Sequence, residues 1–161
     1  MSDSADRPSD AYNLSRFVEA QKKDFEPALA QIVGGKKRTH WMWYIFPQLY
    51  GLAPHPSENS KFYAIKGLDE ARAYLAHPVL GPRLLRCAEA AAAVEGRSAD
   101  EIFGDIDARK LRSCATLFAC VAPPRSVFER LLAKYYGGER DAKTLRLLGL
   151  APQGGGGSEE A

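Results

Sequence analysis

The sequence lacks the features that mark several large classes of protein. No apolar run approaches the roughly 20 residues that span a bilayer, and residues 1–10 are polar, without the apolar core of a secretory signal peptide. The three cysteines have no CxxC or Cys/His ligand spacing, so we expect reduced thiols in the core rather than disulfides or a zinc site. We therefore predict a cytoplasmic protein with no membrane partner, no metal and no cofactor.

Catalytic and phosphate-binding motifs are also missing. Gly34-Gly35 and Gly137-Gly138 lack the spacing of a P-loop or of a dinucleotide-binding fingerprint, and such pairs are typical of helix ends. No GxSxG, HExxH or EF-hand pattern occurs in the chain. The common hydrolase, zinc-protease and calcium-binding classes have no support, and whether the protein is an enzyme stays open.

What the sequence does contain is a helical pattern. Its 161 residues, 45% apolar and 26% charged, fit one globular domain. Apolar residues recur at helical spacing through residues 13–150, with capping residues such as Ser98 and Asp141. We predict an all-α fold, a compact irregular bundle of about seven or eight helices in a single domain. Residues 1–12 are predicted to be a disordered tail and residues 151–161 a flexible, Gly-rich tail.

Several element boundaries can be predicted from single residues. Asn13 is the expected N-cap of the first helix, and Asp105 is expected to cap a later one. Pro27 is expected to interrupt the first helix and to open a second. Residues 52–61, rich in Pro and Ser, are predicted to form a loop.

An aromatic segment, residues 39–52, holds both tryptophans and is the expected centre of the core. A short helix over 39–46, capped by its first residue, is one prediction, although aromatic residues also suit a strand. His40, Tyr44 and Gln48 recur every four residues, so the first two share a helix face. This line of polar groups in an apolar segment favours a binding role.

The aromatic segment also resembles a known family. The run HWMWYIFPQLYGL, from His40 to Leu52, resembles the signature of a bacterial family of unknown function whose members are often labelled calpastatin. The resemblance implies a compact multihelical fold and no established activity. A calpastatin is an extended, largely disordered inhibitor, which this periodic, apolar-rich sequence argues against. Shorter similar pieces extend over roughly residues 13–150, among them Arg16-Phe17, Ala20-Gln21, Tyr63-Ala64-Ile65, Phe103-Gly104, Lys110-Leu111 and Thr116-Leu117-Phe118.

The charge of the chain permits an anionic ligand. Without residues 1–10 and 153–161, the chain has 21 basic and 15 acidic residues, a net charge of +6. Three of the cations, residues 36–38, directly precede the aromatic segment and are either a solvated loop or the rim of an anion site. Basic residues exposed on helix faces explain the same charge, and a nucleic-acid partner is not expected.

Two groups of polar residues are candidates for chemistry. His40 is a candidate general base or ligand contact because histidine titrates near neutral pH, although a hydrogen-bonded core histidine is the simpler interpretation. Lys110 and Ser113, three residues apart, share a helix face with Asp107 and form a polar ridge. The alternative for the ridge is an Asp107–Lys110 ion pair that only supports the helix.

Two functions from different classes remain. The first is binding, with or without chemical conversion, of a small anionic or nucleotide-like ligand in a pocket floored by aromatic residues. The second is a protein-interaction module without enzymatic activity, which an exposed aromatic patch would favour. The residues expected at the ligand site, with His40 as the candidate catalytic group, are His40, Trp43, Tyr44, Gln48, Lys61, Tyr63, Lys110 and Ser113.

Overall fold

The computed structural model describes residues 10–150; residues 1–9 of the predicted N-terminal tail and the whole predicted C-terminal tail, residues 151–161, lie outside this part. The described residues form nine helices and no strand, which confirms the all-α prediction. None of these helices is both long and apolar enough to cross a membrane. The helices are α1 (Ser15–Val33), α2 (Met42–Ile45), α3 (Glu58–Phe62), α4 (Leu68–Ala76), α5 (Leu80–Ala93), α6 (Ala99–Phe103), α7 (Asp105–Ala119), α8 (Val127–Tyr136) and α9 (Ala142–Leu147).

Helix α1 continues through Pro27, where the sequence predicts a break, so that prediction is wrong. Proline lacks one N–H and costs about 3 kcal/mol in a helix interior. Phe25, Ala28 and Ile32, on either side of the proline, are all buried, and α1 packs along α5. Because burying each large apolar side chain contributes about 1.5–3 kcal/mol, the continuous apolar stripe outweighs the cost of the proline.

The start of α1 is capped by Asp10 rather than by Asn13. The Asp10 carboxylate accepts hydrogen bonds from the backbone N–H groups of Leu14, at 2.6 Å, and Ser15, at 3.2 Å. Slight burial acts to raise the pKa of the Asp10 carboxyl, but these hydrogen bonds lower that pKa below its usual value. Asn13 takes a left-handed conformation, with φ 53°, outside the helix. The Asn13 cap is therefore a wrong prediction, because an acidic residue three positions earlier accepts from the N–H groups at the start of the helix.

Helix α7 forms the centre of the core, with nine buried residues between Ala108 and Ala119. It packs against α4, α6, α8 and α9, while α5 packs against α1 and α8. The Phe118 ring lies 5.4 Å from the ring of Tyr74 and 5.6 Å from that of Phe128, measured between centroids. These contacts join α4, α7 and α8 through one aromatic cluster.

Other predicted caps have mixed outcomes. Ser98 forms a capping box with Glu101 at the start of α6, and Asp141 caps α9 by accepting from the N–H of Thr144 at 2.9 Å. Asp105 lies inside the first turn of α7 and pairs with Arg109, so it does not cap that helix as predicted. Helix α3 begins inside the predicted loop 52–61 and ends just beyond it, because Ser57 supplies a side-chain cap that starts a single turn.

The aromatic segment forms a shorter helix than predicted. Only the four residues of α2 are helical, and Trp41, not Thr39, stands at its N-cap position. Trp41 is 1% exposed, and its indole Nε1 donates to the Gln31 side-chain oxygen at 2.9 Å. The same oxygen accepts from the backbone N–H of Thr39, at 3.2 Å. The segment is therefore anchored to the C-terminal half of α1, with Trp41 in the core.

Two backbone hydrogen bonds connect the chain after α2 to the chain after α3. The Ile65 N–H donates to the Gln48 carbonyl at 2.9 Å, and the Tyr50 N–H donates to the Ile65 carbonyl at 2.8 Å. They form an isolated parallel bridge between Leu49 and Ile65. This bridge places the end of the aromatic segment beside residues 61–64, which are distant in sequence.

Candidate ligand-binding site

The segments joined at the Leu49–Ile65 bridge enclose a cavity of about 240 Å³, called here the aromatic cavity. Trp43 belongs to α2 and Gln48 to the segment that follows it, whereas Lys61 and Tyr63 lie at the end of α3. All four line the aromatic cavity and are among the predicted ligand contacts. The cavity wall is completed by Leu49, Tyr50, Gly51, Leu52, Ala53, Pro56, Ser60 and Ala64.

A second space of about 240 Å³, called here the basic cleft, adjoins the aromatic cavity. Gln48, Leu52 and Ala53 line both spaces, so the two meet along these residues. The predicted ridge residues Lys110 and Ser113 lie in the cleft, not in the aromatic cavity. The other residues that line the basic cleft are Ile106, Arg109, Asp141 and Lys143.

A third and smaller space, about 60 Å³, lies on the other side of Lys110 and is called here the lysine niche. Lys37, His40, Asp107 and Lys110 supply its polar groups. Trp43 lines both the niche and the aromatic cavity, and Lys110 lines both the niche and the basic cleft. The three spaces therefore surround one pair of side chains, Trp43 and Lys110.

Lys110 is held by two interactions that position it at this junction. Its Nζ lies 3.8 Å from the centroid of the Trp43 ring, a cation–π contact. The same Nζ lies 3.2 Å from Oδ1 of Asp107, the ion pair that the sequence suggested as an alternative role. Oδ2 of Asp107 lies 2.9 Å from Nζ of Lys37. Both lysines thus share a single carboxylate beside the indole of Trp43.

Two predicted contacts, Tyr44 and His40, do not line the aromatic cavity. The Tyr44 hydroxyl donates to Asp24 of α1 at 2.5 Å, and its ring lies 5.1 Å from that of Tyr63. Burial, together with the hydrogen bond to Asp24, raises the pKa of the Tyr44 phenol. Tyr44 thus packs behind Tyr63, whereas His40 is exposed and lines the lysine niche.

A buried ion pair holds the α3 side of the aromatic cavity. The Arg16 guanidinium donates to Oε2 of Glu70 at 2.8 Å, and both side chains are at most 5% exposed. It also donates to the carbonyls of Phe62, at 2.6 Å, and Ala64, at 2.9 Å. These two carbonyls flank Tyr63 in the chain. Arg16 therefore fixes the backbone that presents Lys61 and Tyr63 to the cavity.

Two cations that line the basic cleft, Arg109 and Lys143, were not among the predicted ligand contacts. Lys143, on the exposed face of α9, donates from Nζ to the Leu52 carbonyl at 2.9 Å and lines the basic cleft. No sequence signal marks it, because a lysine in a short polar helix is ordinarily solvent-exposed. Lys37 did carry a signal, since it belongs to the basic run before the aromatic segment.

The groups around the three spaces are suited to recognition. They supply aromatic faces, an amide that both donates and accepts, and ammonium groups. Ser113 is buried, and its hydroxyl donates to the Arg109 carbonyl at 3.2 Å. Within residues 10–150 no three His, Cys, Asp or Glu side chains group closely enough to hold a metal ion. The side chains favour binding of an aromatic ring and an anion.

Known proteins include a matching family and a solved structure with a similar fold. Residues 11–148 match the family described as "Protein of unknown function (DUF1810)". Among solved structures, the chain is similar to the conserved hypothetical protein Rv1873 from Mycobacterium tuberculosis, with 47% identity and a TM-score of 0.82 over 85% of this chain and 96% of that chain. The search of curated proteins finds no match. The chain belongs to this family of unknown function. The prediction that it belongs to a family without an established activity is therefore confirmed.

Proposed function

We propose that this member of the family is a cytoplasmic binding protein for a small ligand that combines a planar ring with an anionic group, such as a nucleotide. The observation that carries the proposal is the convergence of Trp43, Gln48, Lys61 and Tyr63 on one cavity. Enclosed sites with aromatic walls and a few polar groups are typical of small-molecule recognition. The ring would occupy the aromatic cavity, and the anion would lie toward the neighbouring cations.

The size of the cavity supports a single ring system. An apolar cavity of about 150 Å³ accommodates benzene. At the same volume per atom, about 240 Å³ accommodates a planar group of roughly ten non-hydrogen atoms. That is the size of a purine base. A sugar and a phosphate would then extend out of the aromatic cavity.

The wall chemistry matches a heterocycle better than a plain hydrocarbon. Trp43 and Tyr63 offer aromatic surfaces, and stacking of a base on an aromatic side chain contributes about 1–3 kcal/mol. Gln48 can both donate to and accept from the polar edge of a heterocycle. Because Gln48 also lines the basic cleft, it lies where the ring and the anionic part of a ligand would meet.

Lys61 is the cation of the aromatic cavity that is free to bind an anion. Its Nζ lies 3.5 Å from Oε2 of Glu58, but the two side chains are 45% and 95% exposed, so this ion pair contributes little. A phosphate that replaced the Glu58 contact would gain a charge-assisted hydrogen bond. Lys110 and Lys143 add positive charge in the basic cleft beyond Gln48. The anionic group of the ligand is therefore proposed to contact Lys61.

Isothermal titration calorimetry with AMP, adenosine and ribose 5-phosphate tests the proposal. AMP should bind more tightly than either fragment, because only AMP fills both parts of the site. Trp43→Ala should weaken AMP by about 1–3 kcal/mol. Lys61→Met should weaken AMP but leave adenosine unchanged, because adenosine carries no phosphate.

Two variants outside the site are matched controls. Tyr12→Ala removes an exposed aromatic side chain that does not line the aromatic cavity, and Lys22→Met removes an exposed lysine of α1. Both should bind AMP like the wild type. The proposal is wrong if AMP produces no binding heat, or if Trp43→Ala and Tyr12→Ala bind AMP equally.

The second candidate function, a protein-interaction module, is favoured by one observation. Tyr12, Tyr50 and Leu147 are exposed and line a shallow groove on the surface formed by α4 and α9. Charged Asp69 and Arg72 interrupt this apolar surface, so we rank the module second. A photo-crosslinker at position 147 that captures one discrete protein in cells, combined with the absence of AMP binding, would reverse this ranking.

A further inference from the structure

The lysine niche contains a charge imbalance that an ion-pair network does not require. Asp107 bonds Lys37 through one oxygen and Lys110 through the other, at 2.9 Å and 3.2 Å. One carboxylate balances only one of the two ammonium groups. We propose that the niche is a binding site for a tetrahedral oxyanion of the phosphate type, which balances the second.

The three charged side chains of the niche are largely shielded from solvent. The side chains of Lys37, Asp107 and Lys110 are 8%, 18% and 20% exposed. An unbalanced charge at this depth loses much of its hydration, and such charges are ordinarily paired. If the Lys37–Asp107 ion pair served only to join the basic run to α7, one lysine would be enough. Lys110 on the same carboxylate would then have no role in that link. The excess cation therefore favours an anionic partner in the adjoining space.

Geometry and size agree with a compact oxyanion. An ammonium group has three N–H donors, and each lysine uses one on Asp107, so both keep donors for an anion. The exposed His40 ring lines the same niche and offers a further N–H. A space of about 60 Å³ corresponds to about two water molecules at 30 Å³ each. The niche can therefore receive two oxygen atoms of a larger oxyanion but cannot enclose a ring.

The inference deepens the proposed function. Its one part that rests on that function is the assignment of the oxyanion to a ring-containing ligand. Trp43 separates the niche from the aromatic cavity and lines both. The oxyanion is either the phosphoryl group of the ligand, which then lies in the niche instead of at Lys61, or a free phosphate bound while the anionic group of the ligand contacts Lys61. In the first case His40 and Lys110 are ligand contacts, as the sequence suggested. The chemistry of the niche is the same in both cases.

Titration calorimetry with inorganic phosphate tests the niche. Lys37→Met should weaken phosphate binding about tenfold, because it removes a charge-assisted hydrogen bond. Lys36→Met is the matched control, since Lys36 is the exposed neighbour that does not line the niche, and it should bind phosphate like the wild type. Equal phosphate affinity in these two variants would overturn the proposal.

A second variant protects the test against a folding defect. Asp107→Asn keeps both lysines but removes the carboxylate that occupies them. If the niche binds oxyanions, phosphate affinity should rise several-fold above that of the wild type, whereas an ion-pair network without a ligand predicts no phosphate binding by the wild type. Unchanged or weaker phosphate binding by Asp107→Asn would also overturn the proposal. Thermal unfolding of each variant shows that the comparison is made on folded protein.

Competition identifies the source of the oxyanion. If phosphate competes with AMP, and Lys37→Met weakens AMP but not adenosine, the niche holds the phosphoryl group of the ligand. If phosphate and AMP bind independently, the niche holds free phosphate. Adenosine binding without phosphate binding refutes the niche alone, and phosphate binding without adenosine or AMP binding refutes the proposed function alone.

Discussion

Replacement of Arg16 by methionine should destabilise the whole fold and loosen the aromatic cavity. Methionine keeps much of the side-chain volume but none of the five N–H donors. Glu70, which is 2% exposed, would be left without its cation. The hydrogen bonds lost would be those to the carbonyls of Tyr12, Asn13, Phe62 and Ala64 and to the Glu70 carboxylate.

The magnitude follows from the burial of the pair. Removing one partner of a buried ion pair costs about 3–5 kcal/mol, because the remaining charge is uncompensated. Glu70 keeps one hydrogen bond, from the Lys66 N–H at 2.9 Å, which does not replace the lost charge. In the double variant Arg16→Met/Glu70→Gln neither charge of this pair remains. The double variant should therefore be more stable than Arg16→Met alone.

Urea unfolding followed by circular dichroism measures both variants. A loss below about 1 kcal/mol for Arg16→Met, the scale of surface changes, would refute this account of the ion pair. So would a double variant less stable than the single one. Because Arg16 holds the carbonyls on either side of Tyr63, AMP affinity should fall in Arg16→Met. Arg72 forms an exposed ion pair with Asp69, so Arg72→Met is the control. It should change neither the stability nor the AMP affinity appreciably.

Three further predictions concern the core. Trp41→Ala should cost about 3–5 kcal/mol in urea unfolding, and a loss below about 1 kcal/mol would show that the aromatic segment is not central to the core. Gly81→Ala should lower Tm in calorimetry by at least about 4 °C, because a Cβ there would lie 2.1 Å from the Leu75 carbonyl oxygen; an unchanged Tm contradicts this. Burial raises the pKa of Cys87 to about 12 and holds the pKa of Cys114 well above its usual range. Both should therefore resist a thiol reagent near neutral pH until the protein unfolds, and rapid labelling of either of these two thiols in the native protein would contradict their burial.

The fold was predictable where one local rule decides the structure. Ser98 and Asp141 cap helices as predicted, because a cap depends on residues only three positions away. Pro27 was misjudged because its local cost competes with the burial of a whole helix face against α5. The Asn13 prediction is wrong because Asp10 accepts from the N–H groups at the start of the helix. Tertiary packing and competing caps cannot be weighed from spacing alone.

The candidate site was predictable in its residue types but less so in its arrangement. In a helix of four residues, periodicity cannot decide which neighbour faces a cavity, and Trp43 does so while Tyr44 packs against Tyr63. Lys110 was recognised from its spacing to Asp107. Lys37, which shares that carboxylate, lies 70 positions before Asp107 in the chain, so only the fold shows the shared pair.

The most direct test of the proposed function is to identify what the aromatic cavity retains. Purified protein is equilibrated with a mixture of cellular metabolites, washed, and its retained compounds are identified by mass spectrometry. Trp43→Ala is treated in parallel, with Tyr12→Ala as the control that leaves the cavity intact. The account predicts that wild type and Tyr12→Ala retain the same anionic, ring-containing compound and that Trp43→Ala loses it. Identical retention by all three proteins, or retention of no such compound by the wild type, would contradict the account.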